Sequence, residues 1–322
     1  MYFQLYAHNV PVRGRAASAV YDLHRGAITR IPNVLFDIVQ ELVGTPLATV
    51  RHRYAYDLPS FDRYLQFLHD KDLGFESAEP ACFPPTTFAW RHPGPLTHSV
   101  LEHELEQHYA LPPVLAQLEA LLCRHLELRL DLAGQPAAAL ELLLASLAES
   151  SFKAITLFLR HSGATPPAWL DTLFGAHPKL AYVFCHSAPA TVRCSQYQRV
   201  ITTRWQLRPD DAPAALPPPR YVVNPTYFAE ARHHNPYYNG KVCVDRLGQV
   251  KNCLRHTRSF GQVQTQPLRT LIEQADFQQL WYASVDKIDG LCESELRYAT
   301  SFVHNLHRVG PERYQVVTAT VS

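Results

Sequence analysis

The sequence predicts an α/β protein with a partial (β/α) barrel-like middle region between two smaller units. Strand-like and helix-like segments alternate over residues 96–206, which implies crossover connections and therefore a parallel sheet. The strand-like segments are nearly continuous apolar runs, as in a sheet that is covered on both faces. Two proline-rich segments, 79–95 and 207–220, separate this region from the two ends of the chain.

The first unit, residues 1–78, is predicted to be a winged-helix-like α+β unit. Three short strand-like segments precede an amphipathic helix, "NVLFDIVQEL", for which Asn33 is the predicted N-cap. The apolar face of this helix follows helical spacing and consists of Val34, Leu35, Ile38, Val39 and Leu42. A second helix is predicted to open on Ser60 and to end at Gly74.

The middle region repeats a strand and a helix. The strand-like "HLELRLDL" and "FKAITLFLRH" are each followed by a helix-like segment, and "KLAYVFCHSA" is a third strand. Equivalent strand positions recur 28 and 26 residues apart, at Leu126, Ala154 and Leu180. This pattern is typical of a half-barrel and of a small open sheet alike, so both remain possible architectures.

The last unit, residues 221–322, contains a predicted β-hairpin. Its strands are "KVCVD" and "QVKNC", and Gly248 in the turn suits a positive φ. The hairpin places Cys243 and Cys253 on neighbouring strands, offset by two or three residues. A helix, "LRTLIEQADFQQLW", and a segment around Cys292 follow.

The composition excludes several classes of protein. The 322 residues are 47% hydrophobic and 18% charged, which is typical of a soluble globular protein. The net charge of +1 gives no field that would recruit nucleic acid or a membrane, so neither is an expected partner. The N-terminus does not resemble a secretory signal, and the longest apolar runs are too short to span a bilayer. Seven cysteines, an odd number, fit reduced thiols and predict a cytoplasmic protein.

Missing motifs and scattered histidines limit the reactions and metal sites that the sequence supports. The sequence has no Gly-x-x-x-x-Gly-Lys, no Gly-x-Gly-x-x-Gly and no Gly-x-Ser-x-Gly, so nucleotide-driven and acyl-transfer reactions have no support. The segment "HSVLEHELEQH" is predicted as a polar helix, on which His98, His103 and His108 do not share one face. His233 and His234 are predicted on a strand, where at most one can face a given site.

The cysteines are the candidate metal ligands. Two thiolates do not complete a tetrahedral metal site or hold a cluster. Cys292, in the same predicted unit, would add a third ligand to Cys243 and Cys253. The residues alone leave three alternatives open: an iron–sulfur cluster, a structural zinc ion, and a hairpin that binds no metal.

The C-terminal part of the chain resembles a known family. The run "FAEARHHNPYYNGKVCVDRLGQVKNC", together with "SFGQV" and "LWYASVDKIDGLCESELRYA", is similar to the SPASM-domain peptide maturases of grasp-with-spasm systems. The opening "NVPVRGRAASAVYDLHRGAITRIPNVLFDIV" is also similar, so the resemblance extends over most of the chain. It implies a SPASM-like C-terminal domain, in which Cys243, Gly248 and Cys253 match the start of the ligand set for an auxiliary iron–sulfur cluster.

The sequence departs from that family in two ways. Ser294 and Thr300 stand where the later family segment has cysteines, although the segment keeps Glu295, Arg297 and Tyr298. The resemblance therefore implies a degenerate domain with an incomplete ligand set for a cluster. The chain also lacks the Cys-x-x-x-Cys-x-x-Cys that binds a radical-SAM cluster, so S-adenosylmethionine is not expected as a cofactor.

The resemblance implies a role in peptide maturation. Members of the family are encoded beside an ATP-grasp ligase and a ribosomally made precursor peptide, so both are expected partners. Residues 1–78 would capture the precursor as an added strand, which an exposed strand edge permits. An exposed cluster of Tyr237, Tyr238 and Asn239 is expected to contact the peptide or the ligase. The alternative is an iron–sulfur peptide-modifying enzyme that uses the auxiliary cluster, so the sequence does not decide whether the chain is an enzyme.

Overall fold

The computed structural model describes residues 1–105, 107–132, 134–162, 165–194, 199–207, 221–300 and 305–317. Within these residues the strands are β1 (Tyr2–Leu5), β2 (Asn9–Arg13), β3 (Ser18–Asp22), β4 (Ala27–Ile31), β5 (Gly74–Ser77), β6 (His98–Glu104), β7 (His125–Asp131), β8 (Ala154–Arg160), β9 (Leu180–His186), β10 (Val192–Cys194), β11 (Val200–Thr202), β12 (Lys241–Val244), β13 (Val250–Lys251), β14 (Asn305–Gly310) and β15 (Arg313–Val317). The α-helices are α1 (Asn33–Leu42), α2 (Leu47–Arg53), α3 (Leu58–Asp70), α4 (Leu111–Ala120), α5 (Ala137–Ala148), α6 (Pro167–Ala176), α7 (Pro225–His233), α8 (Leu268–Ile272) and α9 (Ala275–Gln278).

The chain forms two compact units, and each unit combines separated segments. Unit 1 comprises Met1–Arg91, Pro217–Tyr237 and Tyr282–Ser322, and unit 2 comprises His92–Leu216 and Tyr238–Trp281. The predicted first and middle units lie within unit 1 and unit 2, respectively. The predicted C-terminal unit, 221–322, is instead divided between the two, because its hairpin joins the parallel sheet of unit 2.

Unit 1 is built on a three-stranded antiparallel sheet in the order β2-β3-β4. The central strand β3 is buried along its whole length. Val20 packs with α1 and α3 in one hydrophobic cluster, whereas Ala19 and Tyr21 pack with α7 in another. Alternate residues of a strand point to opposite faces of the sheet, so this single strand contributes to two cores.

The helices of unit 1 follow the sequence prediction with local differences. Helix α1 buries the predicted apolar face except for Val34, which is 51% exposed. Its N-cap is Pro32, because the Asn33 side chain accepts a hydrogen bond from Ser18 Oγ at 2.6 Å and does not cap the helix. Helix α3 begins before the predicted Ser60, since the Asp57 side chain caps it. Helix α2 was not predicted.

Unit 2 contains an eight-stranded sheet, among the described residues, in the order β10-β11-β9-β8-β7-β6-β12-β13. Neighbouring strands from β11 to β12 are parallel, and the pair at each end is antiparallel. The predicted α/β fold is therefore confirmed. Leu126 pairs with Ile155, which pairs with Leu180, so the predicted equivalent position Ala154 was one residue too early.

Two predicted elements are wrong. The segment with His98 and His103 forms β6, between β7 and β12 in the sheet, and is not a polar helix. The segment with His233 and His234 ends helix α7 and is not a strand. Among the described helices, none combines the length and the apolar character that crossing a bilayer requires.

Candidate functional site

The outer edge of β4 is the part of unit 1 best suited to pairing with another chain. Among the described residues, β4 pairs only with β3. The backbone hydrogen bond from Leu23 N–H to His8 C=O sets the pattern of the ladder. The odd-numbered residues of β3 form backbone hydrogen bonds with β2, and the even-numbered residues form them with β4. The backbone N–H and C=O groups of Ile28 and Arg30 are therefore directed outward, away from β3.

A cavity of 440 Å³ lies beside this edge, against α1 and α3. Leu35 in its wall belongs to the hydrophobic cluster of these helices, and Tyr64 and Phe67 pack against that cluster. The cavity therefore has an apolar wall that the core of unit 1 supports. The lining residues are Arg30, Pro32, Leu35, Ser60, Arg63, Tyr64 and Phe67.

A second cavity, of 350 Å³, lies on the opposite face of the same sheet. Ile28 and Val223 in its lining pack against the cluster around α7, whereas Ile31 packs into the cluster of α1 and α3. The first cavity borders the cluster of α1 and α3 and the second borders residues that pack on the α7 cluster, so the edge of β4 has a cavity on each side. The residues that line the second cavity are Gly26, Ile28, Arg30, Tyr221, Val223 and Leu296.

The charges along this edge are mainly positive. Arg30 lines both cavities, and its Nε lies 2.9 Å from the largely buried Glu295 carboxylate. Arg63 donates a hydrogen bond to Ser60 Oγ at 2.9 Å, and no carboxylate of the described residues forms an ion pair with it. The α1–α3 side of the edge is therefore suited to an acidic residue of a bound chain.

The thiol hairpin forms as predicted, and it buries Cys243. Cys243 lies opposite Lys251, so Cys253 is offset by two residues. Cys243 is buried and donates a hydrogen bond to the Asn252 carbonyl at 3.5 Å. Burial, with a smaller contribution from Cys253, raises the pKa of the Cys243 thiol to about 12. This environment favours the protonated thiol over the thiolate.

The third predicted ligand belongs to the other unit. Cys292 is half-buried in unit 1, whereas Cys243 and Cys253 lie in unit 2. Among the described residues, no group of three or more His, Cys, Asp or Glu side chains is arranged to hold a metal ion. The three-thiol set stays a prediction, and no reaction step is assigned to a cluster.

Alkylation tests the assignment of Cys243 as a buried thiol. At pH 8 a thiol with a pKa of about 12 is ionised in about one molecule in ten thousand, so we expect iodoacetamide to leave Cys243 unmodified in the folded chain. Cys82 is exposed and should react, which provides an internal control. Mass spectrometry of peptides from the folded and the unfolded chain measures the alkylation of Cys243 and of Cys82 separately. Rapid labelling of Cys243 in the folded chain would contradict the assignment.

The predicted exposed cluster before the hairpin is mostly buried. Tyr238 is 0% exposed and Asn239 is 4% exposed, whereas Tyr237 is half-buried. The Tyr238 ring stacks on His256 with 5.7 Å between centroids, and the Asn239 carbonyl accepts a hydrogen bond from Thr97. These residues pack within the fold because they form the turn that leads into β12. The predicted exposure is therefore wrong, while a binding role for the three residues stays a prediction.

Unit 2 has a larger cavity, of 770 Å³, at the carboxyl ends of β6, β7, β8 and β9 and beside the thiol hairpin. Its polar lining was not predicted, because the residues lie at the ends of four different strands and meet only in the folded sheet. The signal in the sequence is a charged residue or a histidine at the end of each apolar run. These residues include Glu102, His103, Arg129, Asp131, Arg160 and His186.

Comparisons with known proteins do not place the chain in a family. No family model matches it, and no curated protein matches it. Among solved structures, the chain is similar to Streptococcus suis SuiB bound to S-adenosylmethionine, with 7% identity and a TM-score of 0.33 over 92% of this chain and 94% of that one. A TM-score this low supports no conclusion about the function of the chain.

Proposed function

We propose that unit 1 binds an extended peptide as an added strand on β4, and that the protein is a maturation factor that holds a ribosomally made precursor peptide. The observation that carries this proposal is the outer edge of β4, which has outward-directed backbone groups and a cavity on each face of the sheet. An unpaired edge strand of this kind is a template for another strand.

Strand addition accounts for both the affinity and the specificity of such a site. The outward N–H and C=O groups of Ile28 and Arg30 would bond to the peptide backbone, which gives affinity independent of most side chains. Side chains of the added strand would alternate between the two cavities, because successive side chains of a strand point to opposite faces. The two cavities would then select alternate residues of the peptide.

The linings indicate the chemistry of the peptide. Tyr64, Phe67 and Leu35 would contact an apolar residue on the α1–α3 side. Arg63, which makes no carboxylate ion pair among the described residues, would pair with a neighbouring acidic residue. The expected peptide therefore combines alternating apolar residues with at least one carboxylate.

The resemblance to SPASM-domain peptide maturases supports the wider role. A winged-helix-like unit 1 would present the precursor to an ATP-grasp ligase, and this partner is part of the proposal. The protein itself is given the role of binding and presentation, because the resemblance implies an incomplete ligand set for a cluster. Co-purification of the full chain with an ATP-grasp ligase tests this part.

A titration tests peptide binding directly. The full chain is titrated into a fluorescein-labelled leader segment of a ribosomally made precursor peptide, and anisotropy should show a Kd in the micromolar range or tighter. Tyr64→Ala should weaken binding about tenfold, because it removes an aromatic contact from the α1–α3 cavity. Tyr56→Ala is the matched control, since Tyr56 is 81% exposed and lines neither cavity. Equal affinities for the two variants, or no binding by the wild-type chain, would contradict the proposal.

A further inference from the structure

The large cavity of unit 2 lies where parallel sheets commonly bind ligands. It is formed at the carboxyl ends of four parallel strands, β6 to β9, and by the hairpin of β12 and β13. Ligands of open α/β sheets bind outside the carboxyl ends of the strands, and a cavity of 770 Å³ is in the range of small-molecule sites. The peptide edge of unit 1 does not use this cavity.

Two cations of its wall, Arg129 and Lys251, each have a close carboxylate partner. Arg129 Nε lies 2.7 Å from Glu127 Oε1, and Lys251 Nζ lies 2.8 Å from Asp245 Oδ2. All four side chains are mostly buried, and each of the two carboxylates has a close cationic partner. Glu102 is a fifth mostly buried ionisable residue, and its side chain is 17% exposed.

Glu102 is a mostly buried carboxylate of the wall that has no cation within hydrogen-bond distance among the described residues. Its one ion-pair contact in the described part of the chain is to Arg129 Nη1 at 3.8 Å, which is longer than a hydrogen bond. Arg129 already bonds to Glu127. The cation nearest to Glu102 is therefore held by another carboxylate, and a ligand cation beside Glu102 would give it a close partner.

A second polar group in the wall has unused hydrogen-bonding capacity. His103 lines the cavity and is 5% exposed, and its Nδ1 has no hydrogen-bond partner among the described residues. Burial lowers the pKa of His103 to about 4, so its imidazole is neutral near pH 7 and does not compete with a cation. Its ring packs edge-on against Tyr109, with 4.8 Å between centroids, which fixes its orientation.

We propose that this cavity binds a small organic cation, a molecule with an ammonium or guanidinium group, and that the cation lies against the Glu102 carboxylate. The rim carries both charge signs, including the Asp131–Arg160 ion pair at 3.1 Å. An additional carboxylate on the ligand is therefore compatible with the site, as in an amino acid with a basic side chain.

Isothermal titration of the full chain with agmatine, L-arginine and glutarate tests the proposal. Agmatine and arginine carry the guanidinium and should bind, whereas the dianion glutarate should not. Glu102→Gln keeps the size of the side chain and removes its charge, so it should weaken agmatine binding about tenfold or more. Glu149→Gln is the matched control, since Glu149 is exposed at the end of α5 and does not line the cavity.

Three results would overturn the proposal. The first is no heat from either guanidinium compound up to about 10 mM. The second is agmatine binding that is equal in Glu102→Gln and Glu149→Gln, which would place the cation elsewhere. The third is tighter binding of glutarate than of agmatine, which would make the cavity an anion site around Arg129.

The pH dependence of agmatine binding provides an independent readout. Burial raises the pKa of Glu102, with Arg129 lowering it and Asp245 raising it further, and with smaller lowering by Arg246 and Lys251. Because the cation binds the ionised carboxylate, its affinity should be full above this raised pKa and fall as the pH decreases through it. Glu102→Gln should abolish this dependence, and an unchanged pH profile in that variant would contradict the assigned contact.

Discussion

Replacing Arg30 with proline should weaken peptide binding about tenfold more than replacing it with alanine. Both variants lose the guanidinium, but only proline also loses the N–H that β4 directs outward. One net hydrogen bond contributes about 1 kcal/mol, and the proline ring additionally hinders the close approach of a strand. Proline is tolerated on an edge strand when its nitrogen faces away from the neighbouring strand, so the bonds between β4 and β3 should persist.

Comparison of the two variants separates strand addition from charge recognition. The measurement is the anisotropy titration with the labelled leader segment, and thermal unfolding verifies that both variants fold. If alanine and proline weaken binding equally, the peptide contacts the Arg30 side chain but does not pair with β4. That result would contradict strand addition while leaving peptide binding intact.

Replacing Phe228 with alanine should destabilise unit 1 by about 3–5 kcal/mol, as expected for truncation of a buried aromatic side chain. Phe228 on α7 is 1% exposed. Its ring lies 5.4 Å from that of Tyr21, 5.3 Å from Phe88 and 5.2 Å from Tyr298, measured between centroids. The substitution would leave a void among three rings that come from distant parts of the sequence.

The expected loss is measured as the shift of chemical denaturation followed by circular dichroism. Val43→Ala serves as the control, because Val43 is 72% exposed and its truncation should change the free energy of unfolding by less than about 0.5 kcal/mol. A loss below about 1 kcal/mol for Phe228→Ala would show that α7 is not part of the core of unit 1.

The same packing explains why the predicted domain boundaries differ from the compact units. The predicted boundaries lie at the proline-rich segments. Placing them there assumes that residues close in sequence belong to the same compact unit. In unit 1, Tyr21 on β3 instead donates a hydrogen bond to the Glu295 carbonyl at 2.8 Å and packs against α7. Contacts over such sequence separations leave no periodic signal, so a segment limited to residues 1–78 lacks one of the two layers that cover its sheet.

The parallel sheet was predictable because its strands are apolar and regularly spaced. Strand β6 was not, since Glu102, His103 and Glu104 at its carboxyl end make the segment look like a polar helix. These residues are polar because they border the large cavity of unit 2. The polar residues of a candidate site thus interrupt the apolar pattern by which β6 would be recognised as a strand.

The candidate sites were predictable only in part. The hairpin and the offset of its cysteines follow from residue spacing, whereas a peptide-binding strand edge at residues 1–78 is implied only by the family resemblance. The burial of Tyr238 and Asn239 does not follow from residue spacing, because it depends on contacts with His256 and Thr97. The lack of a close cation for Glu102 likewise becomes evident only when the neighbouring strands are known.

Amide hydrogen exchange at β4, with and without the labelled leader segment, tests strand addition most directly. If the peptide pairs with this edge, exchange should slow at Ile28 and Arg30, while Ala27, Thr29 and Ile31 are already protected by β3 and change little. Saturation with the peptide and no added protection at Ile28 and Arg30 would contradict strand addition on β4.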